Sequence, residues 1–190
     1  MFNTYGYFEH FDEKTAGVYR FIEVLLHWAY SIATKTISEL VPPPARILEV
    51  GPGTGKLASM LSNHGYYVVG IDVSLPMLRR AKRFWRPDFA NGGSWRLPII
   101  NAKFDAAVAT FTLHHWGDHE PSIRNVYESL KPGSVFVVIE ADGDRFSAGG
   151  HSCTKDCLLN VLSPYFNVTI KKIFPLIIAI GRKTKLNNTH

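Results

Sequence analysis

Ile47-Leu48-Glu49-Val50-Gly51-Pro52-Gly53-Thr54-Gly55 is the stretch whose reading decides the fold. Its first half is a short apolar run that suits a buried strand. Glycine then occupies every second position, and Leu57, Met60 and Leu61 follow at helical spacing. Glycines between a strand and a helix let the chain turn sharply and let a ligand touch the main chain. The free N–H groups of the helix start then face that ligand. Two nucleotide motifs can be tested on spacing. A P-loop needs four residues between its first Gly and a Gly-Lys-Ser/Thr; here three separate Gly51 from Gly55, and Leu57 follows Lys56. A dinucleotide fingerprint places its third Gly five positions after its first, where this chain has Lys56. The P-loop is rejected and the dinucleotide loop is kept as an alternative.

Working outward, Tyr66 to Val73 reads as a second strand, with Gly65 placed to end the helix before it. Asp72 ends that strand about 20 residues beyond the glycine turn, where an acid can accept both hydroxyls of a ribose. Its other reading is a helix N-cap, a task that Ser74 is equally placed to perform. Leu75, Leu78, Ala81 and Trp85 predict the next helix. A Gly- and Pro-rich stretch from Pro87 to Asn101 leaves room for only a short third strand. Phe104 to Ala109 and Ser134 to Glu140 read as buried strands, with a helix marked by Ile123, Val126, Tyr127 and Leu130 between them. Lys131-Pro132-Gly133 is expected to end that helix. A last helix over Leu158 to Tyr165 precedes a hairpin of Asn167 to Phe174 with Leu176 to Arg182. Strands alternating with helices imply an α/β fold with a mainly parallel sheet covered on both faces.

Upstream, a stretch from about Lys14 to Leu40 has helical periodicity, and Pro42-Pro43-Pro44 stops it. Residues 1–44 are therefore read as an N-terminal helical cap and 45–190 as the ligand-binding unit, within one structural domain. The chain has 190 residues, 46% of them hydrophobic and 19% charged, which suits a single well-filled core. Pro175 to Gly181 is far shorter than the ~20 residues needed to span a bilayer. No secretory leader is recognisable and two cysteines make no disulfide framework, so a cytoplasmic location without membrane contact is expected. Net charge is +5, and Arg79, Arg80, Lys82, Arg83 and Arg86 fall in a run without an acid. A solvated helix face is the favoured reading of that run, and nucleic acid is the less favoured one.

These motifs resemble the class I S-adenosylmethionine (SAM) dependent methyltransferases, in particular the small-molecule branch described as methyltransferase type 11. Besides the glycine turn, the likeness rests on Val69-Gly70-Ile71-Asp72-Val73-Ser74, Gly93-Ser94-Trp95-Arg96-Leu97-Pro98, Leu113-His114-His115-Trp116 and Leu130-Lys131-Pro132-Gly133. The resemblance implies a Rossmann-like, doubly wound, seven-stranded sheet with the last strand antiparallel. It implies transfer of a methyl group from SAM, leaving S-adenosylhomocysteine (SAH), to a small-molecule acceptor. Gly51, Pro52, Gly53 and Gly55 would approach the methionine part, and Glu49 would help to position its amino group. Asp72 and Val73 would meet the ribose, Ser94 and Trp95 the adenine, and Thr110 the cofactor from the next strand. Ser94 stands where the family usually has Asp, and the Asn-Pro-Pro-aromatic motif of base amino methyltransferases is missing.

His114 and His115 are the candidate bases, because an imidazole titrates near neutrality. Adjacent side chains of an extended segment point to opposite sides. His115 is preferred because Leu113 would share its side and wall the apolar part of the site. Phe2, Tyr5, Tyr7, Phe8 and Phe11 precede the first helix, and Tyr19 is the leading lid candidate, an aromatic face being favourable beside a sulfonium. His151, Cys153 and Cys157 supply three possible metal ligands without a fourth, so no metal is expected. A monomer or homodimer is expected. Two rival readings remain: a SAM-binding sensor or partner protein without transferase activity, and an RNA methyltransferase guided by Arg79 to Arg86.

Overall fold

The alternation of strand and helix builds one sheet. The computed structural model describes residue 24, residues 26–145 and residues 152–184. Among them the elements are α1 (His27–Leu40), β1 (Arg46–Val50), α2 (Lys56–Asn63), β2 (Tyr67–Asp72), α3 (Leu75–Ala81), β3 (Asp88–Asn91) and β4 (Phe104–Thr110). A 3₁₀ turn (Leu113–His115), α4 (His119–Ser129), β5 (Leu130–Ala141), α5 (Lys155–Leu162), β6 (Asn167–Ile173) and β7 (Leu176–Arg182) complete them. The expected lid residues Phe2, Tyr5, Tyr7, Phe8, Phe11 and Tyr19, and His151, lie outside the described residues. The same holds for most of the cap expected over 1–44.

The described strands form a seven-stranded sheet in the order β3-β2-β1-β4-β5-β7-β6. β1 pairs in parallel with β2 and β4, and β4 with β5. β7 runs antiparallel to both β5 and β6, so the last strand is the reversed one. Leu48 lies opposite both Val69 and Ala107, and Val108 opposite Val137. Side chains alternate across a strand, so this register sorts the apolar residues into two cores. Leu48, Val50, Ala107, Phe136 and Val138 pack with Ile123 and Val126 of α4 and Leu158 and Leu162 of α5. Ile47, Val68, Val108 and Val137 pack on the other face with Ala29, Ala33 and Ile37 of α1 and Leu57 and Leu61 of α2. Both faces are covered, which is why β1, β4 and β5 read as nearly continuous apolar runs. None of the described helices is long and apolar enough to cross a membrane.

Two expectations need correction. The helix predicted to reach Trp85 stops at Ala81, and Trp85 is 90% exposed. Lys131-Pro132-Gly133 does not separate helix from strand but opens β5, beside a register shift in the β4–β5 pairing, with Gly133 at φ +81°. Lys183 accounts for the helix end instead: its Nζ donates to the carbonyls of Tyr127 and Leu130 at 2.6 and 2.8 Å, where a cation suits the helix dipole. The short third strand expected after Pro87 is present, with four residues bounded by Pro87 and the Gly92-Gly93 pair. Proline suits the start of an edge strand, and glycines suit its end.

Candidate active site

The glycine turn leaves β1 closely flanked by β2, Thr112 and Phe89. Gly51 N–H donates to the Ile71 carbonyl at 2.9 Å, carrying the β1–β2 pairing into the turn. Gly51 has φ +75°, and a Cβ there would sit 2.3 Å from Thr112 Oγ1. Gly55 has φ +78°, and its Cβ would sit 2.7 Å from the Phe89 ring. Conformation and close approach both demand glycine at these two positions.

Asp72 ties the turn to the next helix. Its Oδ2 accepts from Gly53 N–H at 2.9 Å and its Oδ1 from Ser74 N–H at 2.8 Å. Ser74 takes the N-cap of α3, its Oγ accepting from Met77 N–H at 3.3 Å. Burial pushes the Asp72 carboxyl above its ordinary range, and the two N–H donors pull it back. Each carboxylate oxygen keeps a second lone pair for a ligand.

Glu49 is buried near the end of β1. Burial first, and then the charge of Asp72, raises its carboxyl to about 8. Its Oε2 and the Thr110 hydroxyl are buried without a hydrogen-bond partner among the described residues. By strand alternation Glu49 shares a face with Ile47, Thr110 with Val108, and Asp72 with Val68. The three polar groups therefore share the carboxyl edge of the sheet, on the α1–α2 side.

Across the same edge, on the α4 side, lies a solvent-open cleft of about 470 Å³. Val50, Gly51, Ile71 and Val73 form its floor. Gly92, Ser94 and Trp95 form one wall, and Thr112, His115 and Trp116 the other. Ser94 is not a bare stand-in for Asp: its hydroxyl hydrogen-bonds that of Ser122 on α4 at 2.8 Å. Asn125 Nδ2 donates to the Trp95 carbonyl at 3.0 Å and fixes that wall to the same helix.

The segment after β4 departs from the extended form expected of it. Leu113–His115 is a 3₁₀ turn. Leu113 is fully buried in the α4–α5 core and does not line the cleft, so it cannot wall the site beside His115. His115 does line the cleft, whereas His114 Nδ1 shares a hydrogen bond of 2.9 Å with Glu140 Oε2. The two imidazole rings are 3.9 Å apart between centroids.

Glu140 was not singled out in the sequence, and neither were Ser122 and His119. Glu140 could have been found as the one acid ending an otherwise apolar strand, since a fully buried carboxylate must have partners. Ser122 and His119 carry no comparable signal on a half-exposed helix start. The Cys153 and Cys157 thiols hydrogen-bond each other, which lowers Cys157 to about 7 and raises Cys153. No group of three His, Cys, Asp or Glu suited to a metal occurs among the described residues.

Residues 48–138 match the family model of the methyltransferase domain. The chain is 35% identical over 106 residues to a demethylmenaquinone methyltransferase of Corynebacterium kroppenstedtii, covering 55% of this chain and 46% of that protein. It is 32% identical over 115 residues to an O-methyltransferase of Pyrenophora dematioidea, covering 56% and 43%. It thus spans less than half the length of these curated relatives. A SAM-dependent methyltransferase structure from Methanococcus maripaludis superposes with a TM-score of 0.80 at 18% identity, over 95% of this chain and 97% of that one. A Burkholderia thailandensis 1,6-didemethyltoxoflavin-N1-methyltransferase, solved with that compound and SAH, gives 0.69 at 19% identity, over 83% and 79%. At such identities the structures speak for the fold alone. Residues 48–138 thus carry the pattern of a methyltransferase domain, and the chain shares its fold with solved SAM-dependent methyltransferases.

Proposed function

We propose that this chain transfers a methyl group from SAM to a small-molecule acceptor. One observation carries the reading: Glu49 Oε2 and the Thr110 hydroxyl are buried without partners among the described residues at the sheet edge, beside Asp72 and a glycine turn. Unpaired buried polar atoms are costly unless a ligand uses them. They fit a ligand with a cationic amino group at one end and a ribose at the other. In this reading Glu49 and Thr110 hold the amino acid end, Asp72 accepts from the ribose hydroxyls, and Ser94 and Trp95 border the adenine. SAM, when bound, supplies a sulfonium-activated methyl group.

The residues' own contribution is alignment and exclusion of water. Holding two reactants in line can supply ~7–11 kcal/mol of the barrier in favourable cases. Thr112, His115 and Trp116 form the wall on which an acceptor would rest. His115 receives the acceptor's proton when that acceptor is an alcohol, phenol or acid, a role typically worth 10²–10⁴-fold in rate. Relatives named demethylmenaquinone methyltransferase and O-methyltransferase support a small organic acceptor rather than a nucleic acid.

The test is transfer of labelled methyl from SAM to a panel of quinols, phenols, carboxylic acids and amines, followed by mass spectrometry. The reading expects SAH and a singly methylated product in equal amounts with at least one class. Tight SAM binding with no turnover across the panel would favour a sensor or partner role instead.

A further inference from the structure

The 3₁₀ turn after β4 is held by more bonds than a surface turn needs. Glu140 is fully buried at the end of β5, on the strand next to β4. Its Oε1 accepts from Thr112 N–H at 3.1 Å and from Leu113 N–H at 2.8 Å. The turn's own groups close on themselves: the Thr112 carbonyl accepts from His115 N–H at 3.0 Å, and the Leu113 carbonyl from Trp116 N–H at 3.1 Å. His119 Nε2 also donates to the Leu113 carbonyl at 3.1 Å, and Trp116 Nε1 donates to Thr112 Oγ1 at 3.3 Å. The turn is entered through Phe111 at φ +54°, a conformation that persists in a non-glycine residue only when its surroundings enforce it.

Satisfying the two backbone donors uses only Oε1. The second oxygen is aimed at His114, whose ring lies against His115. An ionised carboxylate can only accept, so His114 must carry its proton on Nδ1 and, when neutral, keep its lone pair on Nε2. Neither Glu140 nor His114 lines the cleft, whereas Thr112, His115 and Trp116 do.

We propose that Glu140 is a positioning residue that sets one wall of the cleft, fixing the backbone of Thr112 and Leu113 through one oxygen and the tautomer and orientation of His114, and thereby the placement of His115, through the other. The inference rests on the methyl-transfer reading only for what the cleft holds.

Glu140→Gln and Glu140→Ala in the full chain test it, with SAH as the probe. In Glu140→Gln the amide oxygen still serves Thr112 and Leu113, but the amide NH₂ must face His114 Nδ1. Long-range ¹H–¹⁵N spectra at about pH 8.5, above the ordinary histidine range, should show His114 as Nδ1–H in the native chain and Nε2–H in Glu140→Gln. The His115 ring signals should shift with it. SAH affinity should stay within about threefold in Glu140→Gln, because the backbone acceptor survives. In Glu140→Ala the amides of Thr112 and Leu113 should exchange faster, because both lose their acceptor. An unchanged His114 tautomer and unmoved His115 signals in Glu140→Gln would overturn the proposal, and this variant keeps shape and volume should Glu140→Ala fail to fold. A native chain that showed the predicted tautomer and exchange pattern but bound no SAH would sink the methyl-transfer reading and leave the positioning role standing.

Discussion

Replacing Glu49 by Gln should remove a proton that the site releases when it binds SAM. Glu49 has its carboxyl raised to about 8 by burial and by Asp72. At pH 7 about nine-tenths of it is therefore protonated, and at pH 9 about one-tenth. A cationic amino group docking beside it favours the carboxylate. Binding should thus expel up to about 0.9 proton per molecule at pH 7 and about 0.1 at pH 9 from this residue. Titration calorimetry in buffers of different ionisation enthalpy counts those protons directly. The difference between the native chain and Glu49→Gln isolates the contribution of Glu49 from that of SAM's own amino group. Equal proton release by the two at pH 7 would refute the reasoning. The free protein carries a second signature. The folded value lies above the unfolded 4.5, so the folded chain binds more protons between about pH 4.5 and 8. The stability linked to Glu49 is therefore greatest below about pH 4.5 and is lost as pH rises through about 8, by about 5 kcal/mol at most. Glu49→Gln should flatten the stability profile across that window.

Asp72→Asn should weaken SAH binding by about 10- to 100-fold in calorimetry, the loss of one charge-assisted bond of ~1.5–3 kcal/mol; affinity within twofold would remove Asp72 from the site. Gly51→Ala places a Cβ 2.3 Å from Thr112 Oγ1 at φ +75°, so strain and overpacking should cost about 2–4 kcal/mol. A thermal melt should drop by roughly 5–15 °C, and an unshifted melt would mean the turn relaxes freely. His115→Ala should lower turnover by 10²-fold or more with a protic acceptor, while His114→Ala does less; equal and small losses from both would leave alignment and desolvation as the whole mechanism.

The fold was legible where local rules and packing agree. Most of β1 and the whole glycine turn are written in the nine residues Ile47 to Gly55, because strand burial, positive φ and helix entry each demand a narrow choice of residue. Gly65 and the closing hairpin were legible for the same reason. The reading failed where packing overrules periodicity. Trp85 continues the apolar spacing of α3, yet the helix ends four residues earlier and the ring stays in solvent. Lys131-Pro132-Gly133 carries turn chemistry but is absorbed by a bulged strand start. At the candidate site, spacing pointed to Asp72 and the glycines and the family resemblance to Glu49, all at the ends of adjacent strands. It did not find Glu140 or Ser122, whose partners are 26 to 28 residues away in sequence. His115 was chosen by assuming an extended segment. It lines the cleft through a 3₁₀ turn instead, with Leu113 turned inward.

The account stands on the carboxyl edge of β1, β2 and β4 holding SAM. Calorimetric titration of the full chain with SAH, with NAD titrated in parallel, tests that most directly, and hydrogen exchange on the same samples locates the site. The account predicts one SAH per chain, protection of the amides from Gly51 to Gly55 and from Asp72 to Ser74, and no comparable binding of NAD. Binding of NAD in preference to SAH, or SAH binding that leaves those amides unprotected, would contradict it.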